Sequence, residues 1–396
     1  MKKDKICVRA FVNGNLGDDL FIYILCNRYP HEQFVVCGLS KYSGSFAEIK
    51  NLTYKSVDSP GIKWGIRCIN FMPILLNYIC KKFWKRELFS KLSLFDILSR
   101  TSRYNILISG SLFMQKKSSG KLYFKNIKSP YMRCEKKYYS RSPIVMGCNF
   151  GPFYDEGYLK EYQALFSGAR QVSFRDKYSA ELFFGDNIFG ASDIVFSYPK
   201  DKCVLPNIQN YILVSVVNLH KDFDEKANMS DRYLEYLNNL IQVLLENNQK
   251  VILLGCCKAQ GDDKVCKQIM EQLKDKQANV GIINYPDMDM NQVAGYFANA
   301  KYVIASRFHA MILGWLFEKN VFPIIYDDKM LHVIDDIQEK AGNGKNIKYT
   351  SIYDLDTNSI EYILKHMNDS FEWSEELGNI VIDSGRHFQL LDDELK

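Results

Sequence analysis

Short apolar segments alternate with amphipathic segments along almost the whole chain. The apolar segments predict β-strands at 5–12, 33–37, 104–109, 143–149 and 170–174 in the first half, and at 211–217, 250–255, 280–284, 301–305 and 321–326 in the second. The amphipathic segments predict helices. Over 231–247, apolar residues at 234, 237, 240, 241, 244 and 245 recur at three- and four-residue spacings, which places them on one helical face.

The strands also indicate how the sheets are built. Near-continuous apolar runs such as YILVSVV and KVILLG are typical of parallel sheets covered on both faces. Repeated strand–helix–strand units therefore predict an α/β doubly wound architecture, and the length of 396 residues favours two domains. We place the boundary in the polar segment 198–210. We expect two Rossmann-like domains, over 1–200 and 205–375, that face each other across a cleft, with a tail at 376–396 that packs back on the N-terminal domain.

The charge is distributed unevenly along the chain. The formal net charge is +5, but residues 61–141 hold 18 Lys and Arg against three acidic residues, so this block carries +15 and the remainder −10. The same region departs from the strand–helix alternation. We therefore predict a basic helical insertion at about 58–141 in the first domain.

Other features exclude whole classes of protein. The eleven cysteines are scattered without a C-x-x-C pair, which favours reduced thiols in a cytoplasmic protein and no metal site. The segment MKKDKICVRAFVNGN is predicted to be a first strand rather than a signal peptide. Nucleic-acid binding fits poorly, because no recognised module accompanies the basic charge. The most apolar stretch, 62–80, predicts no spanning helix, because it is interrupted by Lys63, Arg67, Asn70, Pro73 and Asn77.

A glycine-containing turn, Asn13-Gly14-Asn15-Leu16-Gly17-Asp18-Asp19, follows the first strand and precedes an apolar helix. Glycines allow the backbone to turn tightly, and the N–H groups at a helix N-terminus suit an anion. The alternative is structural, with Asp18 or Asp19 capping the helix. The turn is neither a dinucleotide-binding G-x-G-x-x-G motif nor a P-loop.

A second candidate segment, Ser306-Arg307-Phe308-His309-Ala310, follows the strand at 301–305 and begins a helix. Arg307 is suited to bind a carboxylate or a phosphate through two parallel hydrogen bonds. His309 is placed to exchange a proton. The alternative for His309 is that it caps the helix or packs in the turn.

Two further segments connect a strand to a helix. In SFRDKYS at 173–179, Arg175 is expected to point into the same cleft, while Asp176 either pairs with it or caps the following helix. A capped helix with a surface ion pair is the structural alternative. In GCNFGPF at 147–153, the glycines indicate a ligand-binding loop, for which a plain turn is the alternative.

Taken in this order and spacing, these segments resemble the motifs of the polysaccharide pyruvyl transferase family. NGNLGDD, ISGSLF, GCNFGPF, SFRDKYS and SRFHA are similar to the family's successive motifs, and FPIIYD at 322–327 is similar to the segment that follows them. The resemblance covers roughly residues 5–330. One departure is that many relatives have a run of glycines where this chain has Ser109-Gly110-Ser111. The insertion and the tail lie outside the resemblance.

The resemblance implies a glycosyltransferase-B-like fold and the transfer of a pyruvyl (carboxyethylidene) ketal from phosphoenolpyruvate to a sugar. The acceptor would belong to a polysaccharide, such as a capsule or exopolysaccharide, or to a lipid-linked precursor. Arg175 and Arg307 would bind the donor, and His309 would act as general acid/base or as a phosphate ligand. The resemblance implies no metal and no cofactor besides the donor substrate. The other motif residues assigned to substrate binding are Asn15, Gly17, Asp18, Gly110, Ser111, Gly151, Pro152 and Ser306.

The basic segment 62–91 combines aromatic and apolar residues with Lys and Arg. Helices of this composition lie on anionic membrane surfaces. One hypothesis is that the segment docks the enzyme at the inner face of the membrane or on a lipid-linked acceptor, and the alternative is a solvated basic face. Two other functions stay open: a glycosyltransferase of the same fold that uses a nucleotide sugar, and a catalytically silent sugar- or membrane-binding relative.

Overall fold

The computed structural model describes residues 4–84, 93–115, 117–118, 121–122, 130–219, 229–340, 347–369 and 374–395. All ten predicted strands are present, with ends that differ by up to three residues. The strands are β1 (Lys5–Arg9), β2 (Gln33–Gly38), β3 (Leu52–Ser56), β4 (Tyr104–Ile108), β5 (Lys117–Ser118), β6 (Lys121–Leu122), β7 (Ile144–Cys148), β8 (Gln171–Phe174), β9 (Ile188–Gly190), β10 (Tyr211–Val216), β11 (Lys250–Gly255), β12 (Val280–Asn284), β13 (Tyr302–Ala305), β14 (Asn320–Ile325) and β15 (Thr350–Ser351).

Apart from β5 and β6, which pair with each other in antiparallel orientation, the strands form two parallel sheets. The first sheet has seven strands in the order β3-β2-β1-β4-β7-β8-β9, and the second has six in the order β12-β11-β10-β13-β14-β15. In each sheet the chain runs outward on one side of the first strand and then continues on its other side. This is the doubly wound order of a Rossmann-like domain. The protein is therefore α/β with two Rossmann-like domains, as predicted.

Helices follow most of the strands. The helix predicted at 231–247 is confirmed at Ser230–Glu246, and it buries Leu237, Leu240 and Leu244 on one face. The helices are α1 (Leu16–Arg28), α2 (Pro60–Trp84), α3 (Leu94–Thr101), α4 (Pro130–Tyr139), α5 (Glu156–Phe166), α6 (Lys177–Glu181), α7 (Ser230–Glu246), α8 (Asp262–Leu273), α9 (Met290–Asn299), α10 (Phe308–Leu316), α11 (Asp328–Lys340), α12 (Thr357–His366), α13 (Ser374–Gly385) and α14 (Gln389–Leu395).

The segment predicted to be a basic helical insertion, 58–141, is not a single insertion. The helices α2, α3 and α4 lie within it, but Tyr104–Ile108 forms β4, which pairs with β1 and β7 at the centre of the first sheet. The apolar side chains of Ile106, Leu107 and Ile108 are fully buried there. A central strand is covered on both faces, so burial of this run outweighs the basic residues around it. Residues 85–91 of the predicted basic segment 62–91 lie outside the described residues.

The C-terminal helices pack against elements of the first sheet's domain. Asp383 accepts a hydrogen bond from the backbone N–H of Ser192 at 2.7 Å, and Gln171 in β8 donates to the backbone carbonyl of His387 at 2.7 Å. Arg170 forms a bidentate ion pair with Glu394. The segment 198–210, where the domain boundary is predicted, lies between β9 and β10. Within the described residues, no helix combines the length and the apolar character needed to cross a membrane.

Candidate functional site

The carboxyl edges of the two sheets meet at a cleft of about 1590 Å³. The strand order reverses between β1 and β4 in the first sheet and between β10 and β13 in the second, and α/β proteins bind ligands at such points. Ser306 was predicted for the site, but it is buried and does not line the cleft. It extends the pairing of β13 with β10, because its N–H donates to the carbonyl of Ser215 at 3.1 Å. The other predicted residues all line the cleft: Asn15, Gly17, Asp18, Gly110, Ser111, Gly151, Pro152, Arg175, Arg307 and His309.

The turn after β1 is held by its own side chains. Asn15 is the N-cap of α1, and its side-chain oxygen accepts from the N–H of Gly17 at 3.2 Å. The alternative in which Asp18 or Asp19 caps the helix is therefore wrong, because both lie inside its first turn. Asp18 instead accepts from the hydroxyl of Ser109 at 2.9 Å. The turn after β1 is thus tied directly to the turn after β4.

Gly17, in the first turn of α1, leaves the space that the imidazole of His309 occupies. A Cβ built on Gly17 would lie 1.6 Å from Nδ1 of His309, so a side chain at Gly17 and the imidazole cannot occupy their places together. The imidazole ring also packs edge-on against Phe21 at 5.2 Å between ring centroids. His309 comes from α10 in the second domain, and α1 belongs to the first. The glycine of the first motif therefore accommodates the histidine of the last motif across the cleft.

Arg175 occupies the floor of the cleft and is almost fully buried. Its Nη1 lies 3.3 Å from Oδ2 of Asp193 and 3.2 Å from Nε2 of His309, while its Nη2 donates to Oδ1 of Asn149 at 2.7 Å. A Cβ on Gly110 would lie 2.7 Å from Nη1 of Arg175, so the absence of a side chain at Gly110 leaves room for the guanidinium. Arg175 and His309, predicted from separate motifs, are in direct contact.

Asp193 is the buried carboxylate that organises this contact. Its Oδ2 lies 3.3 Å from Arg175 and 3.7 Å from Nε2 of His309, and its Oδ1 accepts from the N–H of Val195 at 2.8 Å. Burial by itself raises the pKa of Asp193, but the hydrogen bond and charge of His309 and the charge of Arg175 bring it below its ordinary value. Asp193 is therefore ionised; it forms an ion pair with Arg175 and lies next to the imidazole of His309. Sequence reasoning missed it, because Asp193 follows β9, a short strand without a strong apolar signal.

Arg307 is fixed by a second buried carboxylate. Its Nε donates to Oδ2 of Asp262 at 2.9 Å, its Nη2 donates to Oδ1 of the same side chain, and its Nη1 donates to Gln260 at 2.5 Å. Burial alone lowers the pKa of Arg307, but the charge of Asp262 raises it above its ordinary value. Asp262 also accepts from the N–H groups of Cys257 and Asn218. The guanidinium of Arg307, which is predicted to hold a ligand, is thus already hydrogen-bonded through Nε, Nη1 and Nη2.

Lys329 adds a third cation to the cleft wall. It follows β14 at the start of α11, and its Nζ lies 3.6 Å from Asp327. Burial lowers the pKa of Lys329, but the charge of Asp327 raises it above its ordinary value, and the nearby Arg175 and Arg307 oppose this rise. Lys329 therefore keeps its charge close to both arginines. The sequence analysis did not assign Lys329 to the site. The motif FPIIYD at 322–327 could have indicated it, because Lys329 lies two residues beyond this motif.

The motifs SFRDKYS (173–179) and GCNFGPF (147–153) line the cleft and also hold each other in place through hydrogen bonds. Asp176 caps α6 by accepting from the N–H of Ser179 at 2.7 Å, which confirms the capping alternative for this residue. The hydroxyl of Ser179 in turn accepts from the N–H of Phe150 at 2.8 Å. Gly151 has φ +108°, a backbone conformation that other residues rarely adopt. The hydrogen bond from Phe150 therefore holds the glycine loop, and Asn149 in this loop accepts a hydrogen bond from Arg175.

The described residues bring together three cations and one imidazole from two domains. Each cation has a carboxylate partner: Asp193 for Arg175, Asp262 for Arg307 and Asp327 for Lys329. These carboxylates fix the positions of the three cations around the cleft. Within the same described parts of the chain, no three His, Cys, Asp or Glu side chains are grouped as metal ligands.

Comparisons with known proteins bear on the family and the fold. A family model described as "Polysaccharide pyruvyl transferase" matches residues 8–328, whereas no curated protein matches the chain in sequence. The solved structures that resemble the chain do so over nearly its full length. A Listeria monocytogenes protein described as a UDP-N-acetylglucosamine 2-epimerase is 7% identical, with a TM-score of 0.55 and coverage of 99% of this chain and 95% of its own.

Two glycosyltransferase-like structures give the same result. HepE of Anabaena, solved with UDP and glucose, is 10% identical, with a TM-score of 0.53 and coverage of 100% of this chain and 99% of its own. A glycosyltransferase of Rickettsia africae is 11% identical, with a TM-score of 0.50 and coverage of 99% and 98%. At these identities the likeness shows the fold alone, which is glycosyltransferase-B-like.

Proposed function

The chain belongs to the polysaccharide pyruvyl transferase family, and from this premise we propose that it transfers a pyruvyl ketal from phosphoenolpyruvate to a sugar. The observation that carries the proposal is the contact between Arg175 and His309, 3.2 Å apart, beside Arg307 and Lys329. Phosphoenolpyruvate bears a carboxylate and a phosphate ester, which are both attached at C2. A site for it needs several fixed cations and one group that exchanges a proton, and these four side chains supply both.

In the proposed reaction, C3 of phosphoenolpyruvate gains a proton and becomes the methyl group of the ketal. The first acceptor hydroxyl attacks the oxocarbenium-like C2 and loses its proton. The C2–O bond to phosphate then breaks, and the second hydroxyl attacks C2 and releases its proton to the departing phosphate. We assign the proton transfer to His309, with binding of the phosphate by His309 as the alternative role. Arg175, Arg307 and Lys329 offset the charge of the leaving phosphate, so the scheme uses no metal and no cofactor besides the donor.

The aromatic rim of the cleft supports a sugar acceptor. Of the fourteen large apolar side chains exposed on the described surface, five aromatic ones line this cleft: Phe11, Tyr154, Tyr178, Tyr349 and Tyr353. Aromatic rings present an apolar face for the C–H face of a sugar, and the tyrosine hydroxyls can hydrogen-bond its polar groups. We propose that the acceptor lies across this rim with its hydroxyl pair directed toward Arg175. A precursor carried on a lipid at the cytoplasmic face of the membrane would present its sugar in this way.

A nucleotide-sugar glycosyltransferase is the second candidate, because the fold is shared with the Anabaena protein solved with UDP and glucose. A thermal shift separates the two functions. We expect phosphoenolpyruvate to raise the melting temperature of the full-length chain, and UDP-glucose to leave it unchanged. The reverse result would favour the glycosyltransferase, and no shift with either ligand would favour a catalytically silent relative.

The test of Arg307 needs a conservative variant. Replacement by Ala would leave the buried carboxylate of Asp262 without its charge partner, which costs about 3–5 kcal/mol and confuses folding with function. Arg307→Lys keeps the positive charge but removes the two-pronged geometry. We expect Arg307→Lys to lose the shift induced by phosphoenolpyruvate. A full shift in this variant would remove Arg307 from the proposed donor site.

A further inference from the structure

Helix α2 presents a stripe of apolar side chains to the solvent. Trp64, Cys68, Phe71 and Leu75 are all exposed, and their spacings of four, three and four residues place them along one face. Trp64 is 71% exposed and Phe71 64%. Burial in the protein cannot account for these residues. The stripe is separate from the cleft, because none of its members lines that cavity.

The charged residues of α2 indicate what kind of surface the apolar stripe binds. The 25 residues of α2 contain no Asp or Glu, whereas Lys63 and Arg67 are exposed beside the stripe and Lys81 and Lys82 follow in its last turns. Asn70, which lies off the stripe, is buried, whereas Ile69 on the other flank of the helix is also exposed. An exposed apolar stripe with cations beside it and no acidic residue in the helix is the pattern of a helix that lies in a membrane interface.

We propose that α2 binds the surface of an anionic lipid bilayer. Trp64, Phe71 and Leu75 enter the boundary between head groups and acyl chains, while Lys63 and Arg67 contact the anionic head groups. The helix is about 37 Å long at 1.5 Å per residue, so it can lie flat along the surface. This proposal depends only on residues of α2, so it can be tested independently of the reaction in the cleft.

Co-sedimentation with vesicles tests the proposal on the full chain. We expect the protein to sediment at low salt with phosphatidylglycerol-containing vesicles and weakly with pure phosphatidylcholine. The triple variant Trp64→Ser, Phe71→Ser and Leu75→Ser should lose at least tenfold in binding while keeping its circular dichroism spectrum. The double variant Lys63→Gln and Arg67→Gln should lose the preference for the anionic vesicles.

A matched control removes exposed apolar side chains elsewhere. Phe184, Leu205 and Ile382 are exposed to a similar extent and lie outside both α2 and the cleft. Changing these three to Ser should leave vesicle binding unchanged. Failure of the parent protein to bind anionic vesicles, or equal binding by the α2 triple variant, would overturn the proposal. A dimer that the α2 triple variant dissociates, without vesicle binding, would overturn it in favour of a second copy of the chain.

Discussion

Replacing Gly17 with Ala tests whether the position of His309 matters for the reaction. Gly17 lies in the first turn of α1, where Ala would ordinarily stabilise the helix by up to about 1 kcal/mol. The added Cβ would instead lie 1.6 Å from Nδ1 of His309, and restoring an ordinary contact of 3.4 Å requires the ring to move by about 1.8 Å. Such a movement breaks the 3.2 Å contact with Arg175.

The expected loss follows from that displacement. Misplacing a catalytic group by about 1 Å costs roughly 100-fold in rate, which corresponds to about 2.7 kcal/mol of transition-state stabilisation. We therefore expect Gly17→Ala to lower kcat/KM by 100-fold or more. The assay is phosphoenolpyruvate-dependent release of inorganic phosphate in the presence of an acceptor, with the melting temperature measured in parallel.

Gly65 provides the matched control, because it is also a helical glycine and a Cβ there would have no atom within 4 Å. Gly65→Ala should keep full activity and a melting temperature at or above that of the parent. If Gly17→Ala behaved like Gly65→Ala in both measurements, the proposed dependence of the reaction on the His309 position would be refuted.

Three other predictions follow from the buried charges. Asp262→Ala leaves the charge of Arg307 without its carboxylate partner and should cost about 3–5 kcal/mol in urea unfolding. Lys258→Ala removes only an exposed ion pair and should change the free energy of unfolding far less; equal costs would contradict this. Burial lowers the pKa of His387 to about 4, below its unfolded value of about 6.5, so stability should fall by about 3 kcal/mol as the pH drops through this window. His387→Gln should flatten that part of the profile, and an unchanged slope would exclude His387 as its source. Lys329→Gln should weaken binding of phosphoenolpyruvate at least tenfold by calorimetry, and unaltered affinity would place Lys329 outside the site.

The sheets could be predicted because their signal is local. Buried parallel strands such as Tyr211–Val216 and Lys250–Gly255 are apolar almost throughout and leave a pattern that needs no knowledge of the fold. The two edge strands of the first sheet lack this signal. Leu52–Ser56 is only partly buried and Ile188–Gly190 has three residues, so neither was predicted. The bounds 58–141 of the insertion were wrong, because they enclosed the strand predicted at 104–109, which belongs to the centre of the first sheet.

The candidate site was predictable only in part, for a similar reason. Arg175, Arg307 and His309 stand at strand ends, where the motif itself marks them. Asp193 and Asp262 act through partners that are distant in the sequence, since Asp193 reaches His309 and Asp262 reaches Arg307. No local pattern encodes such pairs, because Asp262 meets Arg307 only when the second domain folds, and Asp193 meets His309 only when the two domains come together.

Mass spectrometry of an acceptor incubated with phosphoenolpyruvate tests the central claim most directly. Galactose- and mannose-type acceptors are the candidates, with each examined in the presence of the full-length protein. We predict a gain of about 70 Da, the mass of the pyruvyl ketal, together with release of one phosphate for each ketal formed. A gain of a hexose from UDP-glucose, with no product from phosphoenolpyruvate, would contradict the account.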